Sequence, residues 1–375
     1  MGGFTMKSQQ AALIAFLSHL ALASPAWANA DELPPGIVAP ITEQKGKGGI
    51  TEIKASTLPA AVVAAIQAAN LEDLVTVTGN VTRTEPIIRV KNLVFQPGAA
   101  LQWKFPRNGT GGFVVIAAQR LVLNVPAAPA QVGKLQMQPD LNLVELNGSA
   151  GSPGPGGASP GDDSGRPGGN GTIGGTGTPG SSYQYPTVYI VFRDLVLNSA
   201  NPSTVPALRI EGNGLRGGDG GSGGPGGAGG TGATGTPGNA ENIGGVIPIR
   251  TCTAGPGRGG NGGNGGPGGR GGDAGTGGNG ATLVYASPSS QWSGLDRLEV
   301  SLVKGVPGNP GGPGSPGGGG QEGGGGHKPH ECPNGGGSGN RGSSANPANA
   351  GPGSPSTPGK DGAQFLIDRP NTDLW

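Results

Sequence analysis

Metal-binding side chains crowd into one short stretch of the chain, His327-Lys-Pro-His330-Glu331-Cys332. Imidazole, carboxylate and thiolate are ligands for Zn²⁺ or Cu²⁺. The candidate metal set is therefore His327, His330 and Cys332. No second cluster completes a tetrahedral site unless Cys252 joins it, and Pro329 constrains the loop. A second chemistry competes for the same sulfur. Cys252 and Cys332 are the two cysteines of the chain, and an even count in an exported protein points to a disulfide. A bridge would remove Cys332 from any metal site, so the two readings exclude each other in part. A solvated polar tip is the third reading of this stretch.

Other catalytic patterns fail on their own spacing. Gly-x-Gly-x-x-Gly recurs because glycine is everywhere, and none of its copies opens a βαβ unit. Gly353–Lys360 (GSPSTPGK) superficially suggests a phosphate loop. It has one residue too many, two prolines, and Asp361 where a hydroxyl should meet the metal. No Gly-x-Ser-x-Gly sits on a strand-to-helix turn. Asp162-Asp163 is an adjacent pair in a turn-like stretch (SPGDDSG) and reads as solvated. The sequons at Asn108, Asn147 and Asn170 match formally, but glycine makes such matches cheap. No catalytic residue and no cofactor is assigned.

Charge narrows the partners. Net charge is +1 and charged residues make up 13% of the chain, which argues against nucleic acid and against electrostatic membrane binding. Aromatic residues are only 4%, so the ordinary hydrophobic core is small.

The tip residues must be held by something, and the dominant pattern of the chain is glycine at every third position. It runs without a break from Gly217 to Gly238, from Gly257 to Gly278 and from Gly305 to Gly326, with a shorter run from Gly165 to Gly180. Period three belongs to the polyproline-II helix, which has no internal hydrogen bonds. In stretches such as GGSGGPGGAGG two positions of three are glycine and proline is sparse, unlike collagen. That density leaves two bare faces on each threefold helix. Several helices can then pack and bond backbone to backbone, as buried amides require. A disordered glycine-rich linker and an intermolecular triple helix remain as alternatives.

Period two marks the rest. Leu101, Trp103 and Phe105 alternate with Gln102 and Lys104. Ile88 and Val90 alternate with Arg89 and Lys91. These are short strands with one buried face. Segments KNLVF (91–95), QRLVLN (119–124), RDLVLN (193–198) and DRLEVS (296–301) form a loose repeat, which suggests coils of a parallel β-solenoid; an antiparallel sandwich is the rival. Three glycine-rich excursions leave strands LNLVEL (141–146), ALRIEG (207–212) and LEVSLVKG (298–305). They return as TVYIVF (187–192), ATLVYA (281–286) and AQFLID (363–368). A 22-residue arm rising ~3.1 Å per residue would reach about 68 Å.

The expected organisation follows. Residues 1–30 are a signal peptide with an apolar run and small-x-small cleavage sites. Residues 31–73 are a leader and one short helix (57–69) that caps the end of a sheet, with Thr57 as N-cap and Pro59 in the first turn. Residues 74–147 are the strand scaffold. Residues 148–375 carry the excursions with strands interleaved at 187–212, 281–305 and 363–368. The fold class is mostly β plus polyglycine-II, with almost no α-helix. Cys252 lies in the bend 239–256 and Cys332 in the bend 327–335. The arms leading to both are eight glycine steps long, so the two sulfurs reach one height. Closing that loop is worth roughly 4 kcal/mol on the chain-entropy model.

The glycine runs resemble those of snow flea antifreeze proteins, and the polyglycine-II bundles of receptor-binding adhesins of some tailed phages. The whole chain resembles glycine-rich, collagen-like secreted bacterial proteins. The likeness covers about residues 148–362 and is compositional; the strands of 74–147 lie outside the antifreeze and phage groups. It implies an exported, non-enzymatic structural or adhesion protein, periplasmic, cell-surface or extracellular. Its rigid tips would meet a partner that is a glycan, a surface protein or a second copy, with no nucleic acid and no membrane span. Ice binding is one alternative, although the non-glycine positions are mixed. A β-solenoid polysaccharide hydrolase or lyase is the other, by fold analogy.

Overall fold

The computed structural model describes residues 51–53, 58–106, 109, 112–140, 146–199, 205–244, 249–368 and 374–375, all within the unit Pro35–Trp375. The expected signal peptide, most of the leader, Thr57 and most of the strand 141–146 lie outside them.

Alternating apolar residues build the strands, and short polar turns send each strand to the sheet opposite its predecessor. The elements are β1 (Thr51–Ile53), α1 (Ala60–Ala68), β2 (Leu71–Val77), β3 (Asn80–Arg83), β4 (Ile87–Phe95), β5 (Ala100–Pro106), β6 (Phe113–Asn124), β7 (Gly133–Asp140), β8 (Thr187–Asn198) and β9 (Leu208–Glu211). They continue with β10 (Asn239–Ile243), β11 (Ile249–Ala254), β12 (Leu283–Ser287), β13 (Leu298–Ser301) and β14 (Gln364–Asp368). One sheet has the order β1-β14-β12-β8-β6-β4-β2 and the other β13-β9-β7-β5-β3. Every pairing in both is parallel, which removes the antiparallel sandwich. From β2 to β9 successive strands alternate between the sheets, and β12, β13 and β14 resume the alternation.

Between the sheets lies one apolar core that includes Phe95, Trp103, Phe105, Ile116, Phe192 and Ile210. Trp103 is fully buried, and its Nε1–H donates to the carbonyl of Glu85 at 2.7 Å. Each such side chain contributes roughly 1.5–3 kcal/mol by leaving water. The repeat seen in the sequence stacks in register through three members: Leu93 beside Leu121 and Leu121 beside Leu195. Gln96, Asn124 and Asn198 form a side-chain ladder along the same edge.

Three expectations need correction. The fourth repeat member, DRLEVS, does not join this stack: β13 pairs with β9 in the other sheet. Its place is taken by a 3-10 segment, Ser289–Arg297, whose buried Leu295 enters the core. Second, β6, β8 and β12 are buried on both faces over Val114–Ala118, Val188–Phe192 and Leu283–Ser287, as parallel strands usually are. Third, α1 covers the outer face of that sheet rather than its end. It packs against β4 and β6, and its Val62 and Ile66 are buried. Arg89 on β4 donates to the carbonyls of Gln67 and Ala69 at the C-terminus of α1.

Six glycine-rich arms leave and rejoin these strands, and none contains α-helix or strand. In chain order they are arm 1 (148–157), arm 2 (165–180), arm 3 (214–238), arm 4 (257–280), arm 5 (305–326) and arm 6 (336–362). Arm 3 donates from Gly217, and from every third residue to Gly238, to carbonyls Val306 to His327 of arm 5, at 2.8–2.9 Å. Its Gly218, Gly221, Gly224, Gly227 and Gly230 donate the other way, to arm 2. Arm 4 repeats the scheme: Gly260 and Gly263 donate to arm 3, Gly259 and Gly262 to arm 6. Arms 1, 3 and 5 therefore form one row, and arms 2, 4 and 6 an opposed row. The rows prolong the sheets. The bond from Gly212 N–H to Ser301 carbonyl continues the β9–β13 pairing, and that from Leu283 to Ala363 continues β12–β14.

Neighbours dictate the glycine. A Cβ on Gly223 would stand 2.0 Å from the carbonyl oxygen of Gly269, and one on Gly224 2.0 Å from that of Ser152. Central arms 3 and 4 are flanked on two sides and need two glycines per turn. Arm 5 is an outer arm, and Gly312, Gly318 and Gly324 in it have nothing within 4 Å. The third position carries side chains that bind the next arm of the same row. Asn170 Oδ1 accepts from the Asn264 N–H, and Asn264 Oδ1 from the Ser343 N–H. Asp219 Oδ1 accepts from Asn309 and Asp273 Oδ1 from Ser354. Arm 6 also holds a slip. Ala345 and Gly353, eight residues apart, bond Gly317 and Gly311, six apart, and the 3-10 turn Pro347–Asn349 takes up the excess.

Candidate interaction surface at the tips of the excursions

At the far end of arms 3 and 4 the threefold spacing stops, and β-branched residues turn the chain into a hairpin. β10 and β11 pair antiparallel, with Ala240 opposite Cys252 and Ile243 opposite Ile249. The Cys252–Cys332 disulfide joins this hairpin to the bend after arm 5, with a Cα–Cα distance of 4.9 Å. Cys332 is buried. Arg250 and Glu331 add an ion pair at 3.3 Å across the same junction; exposed as Arg250 is, such a pair contributes little by itself. The His327 carbonyl accepts from Gly238 N–H, the last bond between arms 3 and 5.

The junction settles where the sequence-predicted residues lie. Cys252 and Cys332 meet, as arms of equal length require. His327 and His330 are exposed on the same bend. With Cys332 held in the bridge, its thiolate is lost to the metal set His327, His330 and Cys332. The described residues contain no group of three or more His, Cys, Asp or Glu placed to hold a metal. Asp162 closes a local turn through Ser164 and Arg166. The Ser164 hydroxyl and then the Arg166 guanidinium hold its carboxyl below the usual range. Gly353 and Gly359, the two glycines of the phosphate-loop look-alike, are tied to Gly311 and Gly305 in arm 5.

Two features of the tip were not singled out from the sequence. Ile243 and Ile249 are paired across the hairpin and exposed at 55% and 64%, an unusual place for large aliphatic residues. The signal was present as the apolar run 246–249 inside an otherwise polar bend; residues 245–248 lie outside the described ones. Buried polar chemistry elsewhere is quiet. Tyr185 and Tyr189 are pushed up to about 12 by burial, so neither exchanges protons near neutral pH.

No family model, no curated protein and no solved structure matches this chain. Among the described residues no helix is long and apolar enough to cross a membrane.

Proposed function

We propose that this is an exported, non-enzymatic structural or adhesion protein. In this reading the two sheets are the walls of a β-solenoid, and the six arms are polyglycine-II helices packed as a bundle. The bundle presents a disulfide-locked tip to a partner outside the cell. One observation carries the reading: backbone N–H groups at every third residue bond a neighbouring arm from Gly217 to Gly238, and the run ends at a covalent cross-link. Such a network resists bending, because each arm is anchored on several sides. Exposed Ile243 and Ile249 supply apolar contact area, the kind of residue that anchors a protein interface when it is covered.

The export part rests on the expected signal peptide and on a disulfide, which persists in oxidising compartments. The test is to express the full chain with a C-terminal tag, then measure its accessibility on intact cells and the binding of the purified protein to cells and arrayed glycans. Surface exposure, with binding weakened at least tenfold by Ile243→Ser with Ile249→Ser, is expected. Retention inside the cell, or binding indifferent to both changes, would sink the proposal. Thermal hysteresis of the purified chain would point instead to ice binding, and turnover of a polysaccharide to a solenoid glycan-cleaving enzyme.

A further inference from the structure

Arm 5 ends one row and arm 6 the other, and their outer edges are treated in two different ways. In arm 3 the N–H groups that reach the next arm of the row lie at Gly217, Gly220, Gly223 and every third residue onward. Gly220, Gly223, Gly226 and Gly229 each follow a residue whose carbonyl accepts from arm 1, the previous arm of the row. By the same rule the outward donors of arm 5 are residues 307, 310, 313, 316, 319, 322 and 325. The first four are Pro307, Pro310, Pro313 and Pro316, which have no N–H to offer. In arm 6 the rule picks out residues 338, 341, 344, 352, 355, 358 and 361, and three of the four beyond the slip are proline, Pro352, Pro355 and Pro358. The equivalent positions of arms 3 and 4 are glycine, with one alanine, Ala274. Proline thus closes the half of the edge nearest the strands, as it closes edge strands of sheets.

The half nearest the tip is left open. Gly319, Glu322 and Gly325 have neither N–H nor carbonyl in a backbone bond among the described residues. Free donor and acceptor on the same residue, repeated every three residues, make this segment complementary to itself when two copies run antiparallel. We propose that the tip half of arm 5 is a self-association surface that pairs with the same segment of a second copy across a two-fold axis at Glu322. This rests on the polyglycine-II reading of the arms. Gly319 N–H would reach the partner's Gly325 carbonyl, and Glu322 would reach Glu322 of the other copy. Arg341 stands one residue from the level of Glu322, because Gly339 bonds Gly323 and Gly342 bonds Gly320, which sets Arg341 opposite Gln321. Neither Glu322 nor Arg341 has an ion-pair partner among the described residues, and the two-fold brings each Glu322 to the opposite Arg341. The antiparallel arrangement also keeps the strand regions apart.

The experiment is sedimentation equilibrium of the full chain over a concentration series into the hundreds of micromolar, since a contact of three turns is small and weak. A monomer–dimer equilibrium is expected. Glu322→Pro, which extends the proline run, should weaken it about tenfold with an unchanged melting temperature. Arg341→Glu should weaken it similarly, and Glu322→Arg combined with Arg341→Glu should restore it. A chain that stays monomeric while the amides of Gly217–Gly278 remain protected from exchange overturns the association alone. Association indifferent to Glu322→Pro and to the charge exchange also overturns it. Unprotected amides would overturn the arm reading beneath it.

Discussion

Adding one methyl group at two glycines of the same type should have opposite effects. A Cβ on Gly223 would sit 2.0 Å from the oxygen of Gly269 and 2.8 Å from the nitrogen of Gly314. Ordinary carbon–oxygen contact needs more than a further ångström, and both obstacles are backbone. Arms 3, 4 and 5 must therefore separate. The bonds nearest the insertion are Gly223 to Gly312, Gly269 to Gly224 and Gly314 to Gly269, at 2.9, 2.8 and 2.8 Å. Losing three at about 1 kcal/mol each gives a destabilisation of roughly 3 kcal/mol for Gly223→Ala, consistent with overpacking of about 1–3 kcal/mol elsewhere. Gly318 has nothing within 4 Å and no left-handed φ. Gly318→Ala should stabilise by about 0.4–1 kcal/mol, by restricting the unfolded chain. The assay is reversible denaturant unfolding of both variants with the disulfide intact, compared at constant m-value. Equal midpoints would refute the argument, since they would mean that arm 3 is not hemmed in by its neighbours.

Reduction of Cys252–Cys332, or the double change to serine, should lower stability by roughly 4–5 kcal/mol, less any native strain, because the bridge closes a loop of 80 residues. Hydrogen exchange should quicken first at the tip ends of arms 3 and 5, and uniform loosening would contradict the placement of the cross-link. Stability should also fall in acid. The Asp219 carboxyl is held below its usual value by Arg216 and the Asn309 N–H, and that of Asp273 by the Ser354 N–H and then Arg270. A lowered folded pKa gives stability that is present above the unfolded value and lost as pH falls through the folded one. Melting curves from neutral pH to about 2 should show that loss below roughly pH 4. Asp219→Asn with Asp273→Asn should flatten it, because the amide oxygen keeps the acceptor.

Much of this was readable in the chain itself, for reasons that differ by element. Period two located β4, β5 and the second half of β6 (121–124), because there one face is in the core and the other is less buried. It understated β8 and β12, where both faces are buried and alternation carries no information. The helix 60–68 was expected at a sheet end. Its docking on β4 and β6 depends on Arg89, whose outward position on a strand looks solvent-facing until the sheet is known to be covered. DRLEVS was grouped with the wrong stack because apolar alternation is the same in either sheet. The disulfide followed from arm length, a quantity that glycine spacing measures directly. The prolines of arms 5 and 6 and the Asn and Asp ladder looked like mixed filler, since their roles appear only when the donor of each turn is assigned to a neighbour.

The two-residue slip in arm 6 says something about how such a chain can change length. Insertions in an inner arm must come in threes, or every bond beyond them falls out of step with two or more neighbours at once. An outer arm has a free side, and there a stray pair of residues can be pushed into solvent as a single turn. Lineages of this protein should therefore vary in whole triplets through arms 3 and 4, and in any number through arm 6 near Pro347.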